Sequence, residues 1–260
     1  MGTRHFNLGR LDPQQVCTLV VSILKAAVLL VACWGWKQRL EAGGKQTVAI
    51  RWDLYVIITT ELGRGRPALE LARQALAGGA TAIQLREKNL PARDLVELGR
   101  EMRQLTRAAG AAFIINDRLD IALAVAADGL HIGQDDLPAR VARQLLGPDR
   151  MLGVSVGTIA EARQAEADGA DYLGVGSIFA TGSKGDAGEP IGPDGLKAIR
   201  AAVGIPVVGI GGINSRNAAA VIAAGADGVA VISAVIGAPD VAAAARELLT
   251  AVRQARRRER

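Results

Sequence analysis

The residues whose types and spacing most clearly suggest a binding or catalytic site are two cations that follow an apolar run. Gln84, Arg86 and Lys88 alternate with Leu85 and Glu87, and alternation along a strand would point all three toward the same side. An Arg and a Lys held together suit a multiply charged anion. Glu87 could instead neutralise either cation in a solvated cluster, so the anion interpretation depends on the residues that the fold brings beside them.

A second group of chemically suggestive residues is acidic. Asn116-Asp117 follows one apolar run, and Asp135-Asp136 follows the next. Carboxylates that approach from neighbouring strands suit Mg²⁺, which binds through one or two protein carboxylates together with substrate phosphates. Each acid also has a structural interpretation, because Asp117 could cap one helix and Asp135 or Asp136 could cap a helix that starts near Pro138. For each acid, a role as metal ligand and a role as helix cap are both open.

A polar loop and a histidine extend this set. The loop 174–186 contains Thr181, Ser183 and Lys184, which could fold over a phosphate as a lid. His131, one of two histidines, falls within or just after a predicted strand, where a buried and hydrogen-bonded His is the usual role. We expect His131 to line the site.

Glycine-rich segments near the end of the chain predict a phosphate pocket. One apolar run ends in Gly211-Gly212, and the next ends in Ile232-Ser233. Backbone N–H groups of two such loops hold a phosphate in many α/β barrels. A Gly-Gly pair by itself could also be only a tight turn.

The elements that must position these residues follow from a repeat. Four stretches share a pattern of Ala and Gly followed by a short apolar run: 77–84, 127–132, 167–174 and 224–231. Gly tolerates the left-handed conformation that ends a helix, and the run after it has the length of a buried parallel strand. With four further runs they predict strands at 53–59, 81–86, 112–115, 129–132, 151–155, 171–176, 206–210 and 228–232.

Eight predicted strands that alternate with helical stretches favour an α/β fold, a (β/α)8 TIM barrel. An open doubly wound sheet is the alternative, but the even spacing and the repeated turn favour closure. In such a barrel the reactive groups lie at the carboxyl ends of the strands, where the candidate residues fall. One mouth would then hold two anion sites, which implies two phosphorylated substrates or one substrate with two phosphates.

Composition supports this fold and argues against nucleic-acid binding. Half of the 260 residues are hydrophobic but only 3% are aromatic, which suits aliphatic strands covered by helices. The net charge is +5 in residues 1–51 and +4 in residues 253–260, so residues 52–252 carry −4. A slightly acidic body lacks the basic surface that nucleic acids need. We expect residues 253–260 to form a basic tail in which Arg256–Arg258 solvate a frayed terminus.

The first 47 residues are interpreted as an extension ahead of a barrel domain at 48–252. Residues 16–36 are long enough to cross a bilayer, although Lys25 near their centre costs about 2.5–3.5 kcal/mol on insertion. They could be a membrane anchor, a secretion signal, or sequence ahead of a start site placed too far upstream. We favour a dispensable extension, because the predicted barrel needs nothing before Asp53, and we expect a 1–47 deletion to remain active.

The location of the protein is predicted from its cysteines and from this segment. Cys17 and Cys33 both precede the barrel, so the barrel has no thiol, and it suits a reducing cytoplasm. Contact with a membrane would arise only through residues 16–36. A homo-oligomer is left open.

Several motifs together resemble one family. Their order is Gln-x-Arg-x-Lys, Asn-Asp, His-x-Gly-Gln-x-Asp, Gly-Val-Ser, Thr-x-Ser-Lys, Gly-Gly-Ile and Ile-Ser-Ala, across residues 53–250. In this order the chain resembles thiamine-phosphate synthases. The resemblance implies an Mg²⁺-dependent condensation of 4-amino-2-methyl-5-hydroxymethylpyrimidine pyrophosphate with thiazole phosphate, which yields thiamine phosphate and pyrophosphate. Its partners would be these small molecules.

The resemblance also implies roles for individual residues. Pyrophosphate would be held by Arg86, Lys88, Asn116 and Lys184, and Mg²⁺ by Asp117 and Asp136. The pyrimidine pocket would contain Gln84 and His131, the reacting centre Ser155, Thr181 and Ser183, and the thiazole phosphate site Gly212, Ile232 and Ser233. Among these, Arg86, Ser155 and Lys184 are the expected catalytic residues.

Two departures and three alternatives accompany the resemblance. Ile58-Thr59-Thr60-Glu61 replaces the more usual Thr-Asp, and Ser183 stands where Thr is common; neither removes a group that the chemistry needs. A thiazole tautomerase-like isomerase is the nearest alternative, but that relative typically lacks the metal-binding acids. A catalytically silent barrel that binds the precursors, and another barrel enzyme acting on a sugar phosphate, are the others.

Overall fold

The structure, a computed structural model, describes residues 50–182 and 189–259, which all belong to one compact unit that spans residues 47–260. Eight parallel strands pair in chain order and the eighth pairs with the first, so the sheet closes into a barrel. The strands are β1 (Leu54–Ile58), β2 (Ala82–Leu85), β3 (Ala112–Asn116), β4 (Gly129–Ile132), β5 (Met151–Val156), β6 (Tyr172–Val175), β7 (Val207–Ile210) and β8 (Gly228–Val231). This confirms the predicted TIM barrel.

Helices cover the outside of the barrel. Within the described ranges they are α1 (Ala68–Ala77), α2 (Ala92–Ala109), α3 (Leu119–Ala124), α4 (Ala139–Leu146), α5 (Ile159–Ala167), α6 (Gly192–Ala202), α7 (Ala218–Ala223), α8 (Ser233–Ile236) and α9 (Val241–Arg258). A 3₁₀ turn, Thr60–Leu62, follows β1. Because helices pack outside and side chains fill the interior, most strands are buried at every residue, as the aliphatic runs predicted.

At the N-terminal end of the barrel, one type of side-chain to backbone hydrogen bond recurs at every second strand. The residue directly before β2, β4, β6 or β8 accepts a hydrogen bond from an amide of the preceding strand. The bonds run from Leu54 N to Thr81 Oγ1 (3.1 Å), and from Phe113 N to Asp128, Leu152 N to Asp171 and Val207 N to Asp227 (each 2.8 Å). These four positions lie in the four repeated sequence stretches, so the repeat marks where strand pairs are joined.

Three of these acceptors also pair with an arginine from a helix. Arg103 of α2 donates two hydrogen bonds of 2.7 Å to Asp128, and Arg143 of α4 pairs with Asp171. A third pair is looser, with Arg200 Nε of α6 at 3.8 Å from Asp227. Each carboxylate therefore fastens a strand end and a helix at once.

Replacing Asp171 by Ala is expected to lower the free energy of unfolding by about 2–3 kcal/mol. The Asp171 side chain is only 13% exposed, and its loss removes the side-chain acceptor of Leu152 N and the carboxylate partner of Arg143. Urea denaturation followed by circular dichroism measures the change. The matched control is Asp149→Ala, at an exposed position between the same two elements, where a change within about 0.5 kcal/mol is expected. Equal losses in both variants would contradict the prediction.

The expectation of a frayed basic tail at residues 253–260 is wrong for most of that segment. Helix α9 continues to Arg258, so residues 253–258 are helical and not a frayed tail, and the boundary expected at residue 252 falls inside the helix. Arg256 pairs with Asp53 and donates to the carbonyl oxygen of Asp227. Asp53 is 5% exposed, and a buried carboxylate requires such a partner.

The predicted extension lies outside the described residues. The hydrophobic segment 16–36, both cysteines and the expected boundary at residue 47 fall within residues 1–49. Among the described helices, none has the length and apolar character needed to span a bilayer.

Candidate active site

The carboxyl ends of the strands border a cavity of about 730 Å³. Five expected site residues line it: Ser155, Thr181, Gly212, Ile232 and Ser233. They belong to β5, to the loops after β6 and β7, and to the start of α8 with the residue before it. This is the face at which barrel enzymes bind their substrates.

Two glycines shape the wall of this cavity after β7. Gly211 and Gly212 have φ angles of 99° and 63°. A Cβ atom at Gly212 would lie 2.6 Å from Ala180 O, and one at Gly211 would lie 2.7 Å from Ser177 Cα. Glycine alone permits both the backbone angles and this close approach of the loop after β6. The pair is thus a tight turn and part of the wall of the cavity that Ser233, the first residue of α8, also lines; the loops after strands seven and eight are the usual phosphate position in such barrels.

Arg86 is a buried cation that makes no ion pair with a described residue. It is 8% exposed, and the ion pairs between described residues include neither Arg86 nor Lys88. Glu87, which could have neutralised them, instead accepts hydrogen bonds from Thr60 N at 2.6 Å and Thr60 Oγ1 at 3.0 Å. Glu87 therefore neutralises neither cation, and Arg86 and Lys88 stay available to an anion.

Asp117 and Asp136 form a pair of acids next to these cations. Asp117 is half-buried directly after β3, with a positive φ of 59°, a conformation that Asp tolerates better than most residues. Burial, and then its hydrogen bond and repulsion with Asp136, raise the pKa of Asp117 to about 6, while Lys88 and Arg86 act in the opposite direction. Asp136 also accepts a hydrogen bond from Gly133 N at 2.7 Å.

None of the three acids Asp117, Asp135 and Asp136 caps a helix with its side chain. Helix α3 has Arg118 at its N-cap and α4 has Pro138, and neither helix receives a side-chain cap hydrogen bond. The capping interpretation of Asp117, Asp135 and Asp136 is therefore wrong. Asp135 lines the cavity together with Gln134.

Among the described residues, the carboxylates of Asp117 and Asp136 are the candidate ligands of a metal ion. Within residues 50–182 and 189–259, no group of three or more His, Cys, Asp or Glu could hold an ion. Mg²⁺ needs few protein ligands, because it keeps water and binds substrate phosphates. Two hard carboxylates that face each other beside a buried Arg fit such an ion.

Mg²⁺ affinity is expected to fall as the pH is lowered through about 6, the pKa of Asp117. Above this pH the carboxylate is ionised, whereas below it Mg²⁺ must displace a proton, at a cost of up to about tenfold in affinity per pH unit. Calorimetric titration with Mg²⁺ alone between about pH 5 and 8 measures this, because pyrophosphate would itself exchange protons in this range. Asp117→Asn, which cannot titrate, should show a flat profile. A dissociation constant of the native protein that is the same at both ends of the range would contradict the prediction.

A chain of buried hydrogen bonds joins the cavity to the barrel interior. Its members are Gln84, Tyr55, Tyr172 and His131, which are 0–8% exposed, and Ser155, which lines the cavity. Gln84 Nε2 donates to Tyr55 Oη at 2.6 Å, and the two tyrosine Oη atoms are 3.1 Å apart. His131 Nδ1 is 3.0 Å from Tyr172 Oη, and His131 Nε2 is 2.9 Å from Ser155 Oγ. Gln84 and His131 thus lie behind the cavity wall.

Sequence reasoning missed several residues and named two that cannot be placed. The two tyrosines were not singled out, although they are the only tyrosines of the chain and interrupt aliphatic strands, which is the signal that could have found them. Gln134 was not assigned to the site, yet its Nε2 donates to Ser155 O at 2.6 Å. Ser183 and Lys184 lie outside the described residues, and Asn116 is the half-buried last residue of β3.

Known proteins resemble this chain across its barrel. A family model described as thiamine monophosphate synthase matches residues 54–235. The thiamine-phosphate synthase of Moorella thermoacetica is 79% identical over 206 residues, which cover 79% of this chain and 98% of the relative. That of Chloroflexus aurantiacus is 56% identical and covers 76% of this chain and 92% of the relative. The structure of thiamine phosphate pyrophosphorylase from Pyrococcus furiosus has a TM-score of 0.74 and 49% identity, covering 79% of this chain and 98% of that one.

Proposed function

The chain belongs to the thiamine monophosphate synthase family and is a transferase, and from that premise we propose the reaction that it performs. It joins 4-amino-2-methyl-5-hydroxymethylpyrimidine pyrophosphate to thiazole phosphate and releases pyrophosphate. The observation that carries this proposal is the buried Arg86, which makes no ion pair with a described residue, beside the acid pair Asp117 and Asp136. A cation and two carboxylates at one position suit a pyrophosphate bound together with Mg²⁺.

The reaction requires a departing pyrophosphate to be stabilised. The bond between the pyrimidine methylene carbon and the pyrophosphate oxygen breaks, and its electron pair goes to the oxygen. The thiazole nitrogen then donates its lone pair to the methylene carbon. Arg86, Lys88 and Lys184 would supply positive charge to the leaving group, and Mg²⁺ held by Asp117 and Asp136 would add to it.

The remaining site residues would position the two substrates. Gly212, Ile232 and Ser233 would hold the thiazole phosphate, consistent with the glycine turn that lines the cavity. Ser155 and Thr181 lie on the same cavity and would face the reacting atoms. Such positioning alone can contribute several orders of magnitude in rate, because it converts a reaction between two dilute molecules into one between oriented neighbours.

The test is a turnover assay on the full chain. The protein is incubated with both phosphorylated precursors and Mg²⁺, with and without excess chelator, and thiamine phosphate and pyrophosphate are quantified by chromatography. We expect both products in equal amounts, and none when chelator is present or either precursor is omitted.

Other outcomes would identify the alternatives. Isomerisation of a thiazole phosphate without the pyrimidine would indicate a tautomerase. Binding of both precursors by folded protein without turnover would indicate a silent barrel. Turnover that is unaffected by the chelator would remove the metal from the proposal.

A further inference from the structure

In the buried hydrogen-bond chain from Gln84 to Ser155, the available donors and acceptors decide which group donates in each bond. Burial raises the pKa of Tyr55 and of Tyr172 above the usual value for a phenol, so each keeps one O–H to donate. Tyr55 Oη accepts from Gln84 Nε2, and its other hydrogen-bond partner among the described residues is Tyr172 Oη. If Tyr55 accepted from both, its own fully buried O–H would have no acceptor, which is a costly arrangement.

The remaining steps follow from this first one. Tyr55 therefore donates to Tyr172, and the Tyr172 O–H is left to donate to His131 Nδ1, 3.0 Å away. A nitrogen that accepts carries no proton, so neutral His131 carries its proton on Nε2. Nε2–H then donates to Ser155 Oγ at 2.9 Å. The hydroxyl hydrogen of Ser155 is consequently directed away from His131, at a residue that lines the cavity.

The interior of the barrel is built around this chain. A side chain at Gly153 would overlap the Tyr172 ring, and a Cβ atom at Gly174 would lie 2.9 Å from His131 Cε1. The indole of Trp52 packs against Tyr172, with ring centroids 4.1 Å apart. Because these neighbours hold both rings, the imidazole cannot turn to exchange its two nitrogens.

We infer that Tyr55 and Tyr172 are positioning residues that fix His131 as the Nε2–H tautomer and so make the Ser155 hydroxyl a hydrogen-bond donor toward the cavity. The ligand group that fits this donor is an acceptor, such as an unprotonated ring nitrogen of a heterocycle. The inference rests on the proposed function for the identity of that ligand, which would be the aminopyrimidine. Neither tyrosine lines the cavity, so each acts through His131 and Ser155.

The first experiment needs no substrate. In the full chain labelled with ¹⁵N, the imidazole shifts of the two histidines report which nitrogen is protonated, and a His5→Gln variant assigns the His131 signals. We expect the Nε2–H tautomer in the native protein and a mixture of both tautomers in Tyr172→Phe, which lacks the donor to Nδ1 but keeps the ring. A native His131 that carries its proton on Nδ1, or an unchanged tautomer in Tyr172→Phe, would overturn the inference.

The second experiment separates positioning from a structural role. Tyr172→Phe is expected to raise the KM for the pyrimidine pyrophosphate by about tenfold, because the Ser155 hydroxyl loses its fixed direction. The KM for thiazole phosphate should stay within about twofold. The control is Thr106→Val, which removes a fully buried hydroxyl from α2 that bonds to Arg103 O at 3.1 Å. The control should lower stability and change neither KM.

The outcomes keep the two proposals apart. Equal changes in both KM values in Tyr172→Phe, or the same pattern in Thr106→Val, would reduce the tyrosines to packing residues and overturn the inference. A native protein with the Nε2–H tautomer but without turnover would overturn the proposed function and the pyrimidine assignment, whereas the direction of the chain would be supported.

Discussion

Replacing Arg86 by Met is expected to lower kcat/KM for the pyrimidine pyrophosphate by about 10²–10³-fold. The Arg86 guanidinium is buried beside Asp117, where its charge is screened less than at the surface and so stabilises a leaving pyrophosphate more. Methionine keeps an unbranched side chain of similar length and needs no counter-ion, so the variant should still fold. Steady-state kinetics and urea denaturation measure the two effects.

Two further variants sharpen this result. Arg86→Lys keeps the charge but loses the planar pair of donors, so its activity should fall between those of Met and the native residue. Arg100→Met removes an exposed arginine of α2 and should leave kcat/KM unchanged. If Arg86→Met retained activity within about threefold of the native protein, which is under 1 kcal/mol, the anion role of Arg86 would be lost.

Replacing Asp117 by Asn is expected to lower Mg²⁺-dependent turnover by about 10²–10³-fold, while the protein without metal becomes more stable. Burial and Asp136 raise the pKa of Asp117 from 3.8 to about 6. The folded state thus binds more protons than the unfolded state between these values, and native stability falls as the pH rises through them. Asparagine lacks this cost and, like Asp, tolerates the positive φ of this position.

The gain in stability at neutral pH should be roughly 1 kcal/mol, after allowance for solvent screening at a half-exposed group. At about pH 3, where Asp117 is protonated in both states, the difference should vanish. Asp120→Asn is the control, since Asp120 is exposed and pairs with Arg118; it should retain turnover. A destabilised Asp117→Asn protein at pH 7 would show that Asp117 has a structural role.

The strands were predictable because their signals are local. Each observed strand end lies within one residue of its expected position, since each apolar run is bounded by residues that stop it. The repeated Ala/Gly stretches contain the Thr or Asp that ties neighbouring strands at Leu54, Phe113, Leu152 and Val207. Once eight such units are recognised, closure into a barrel and the face that carries the site follow from general rules.

Five of the residues that line the cavity were named from the sequence, whereas the partners of the candidate site residues were not predictable. Arg86, Asp117, Asp136 and Ser155 were named from motifs that fall at strand ends. That Glu87 bonds Thr60, 27 residues away, and leaves both cations available is not visible in either segment. The family resemblance implied one pocket for Gln84 and His131, but it did not indicate the tyrosines that connect them.

The sequence by itself determined the order of the strands, the end at which polar residues collect and the chemical types present there, because these depend on periodicity and on residues a few positions apart. The tertiary structure alone decided which of these groups meet. Closure brings Tyr55 of β1 to Tyr172 of β6, 117 residues away, and Asp53 to Arg256, 203 residues away. Such contacts depend on the register of eight strands and on the space that glycines leave between them, which no single stretch of the chain encodes.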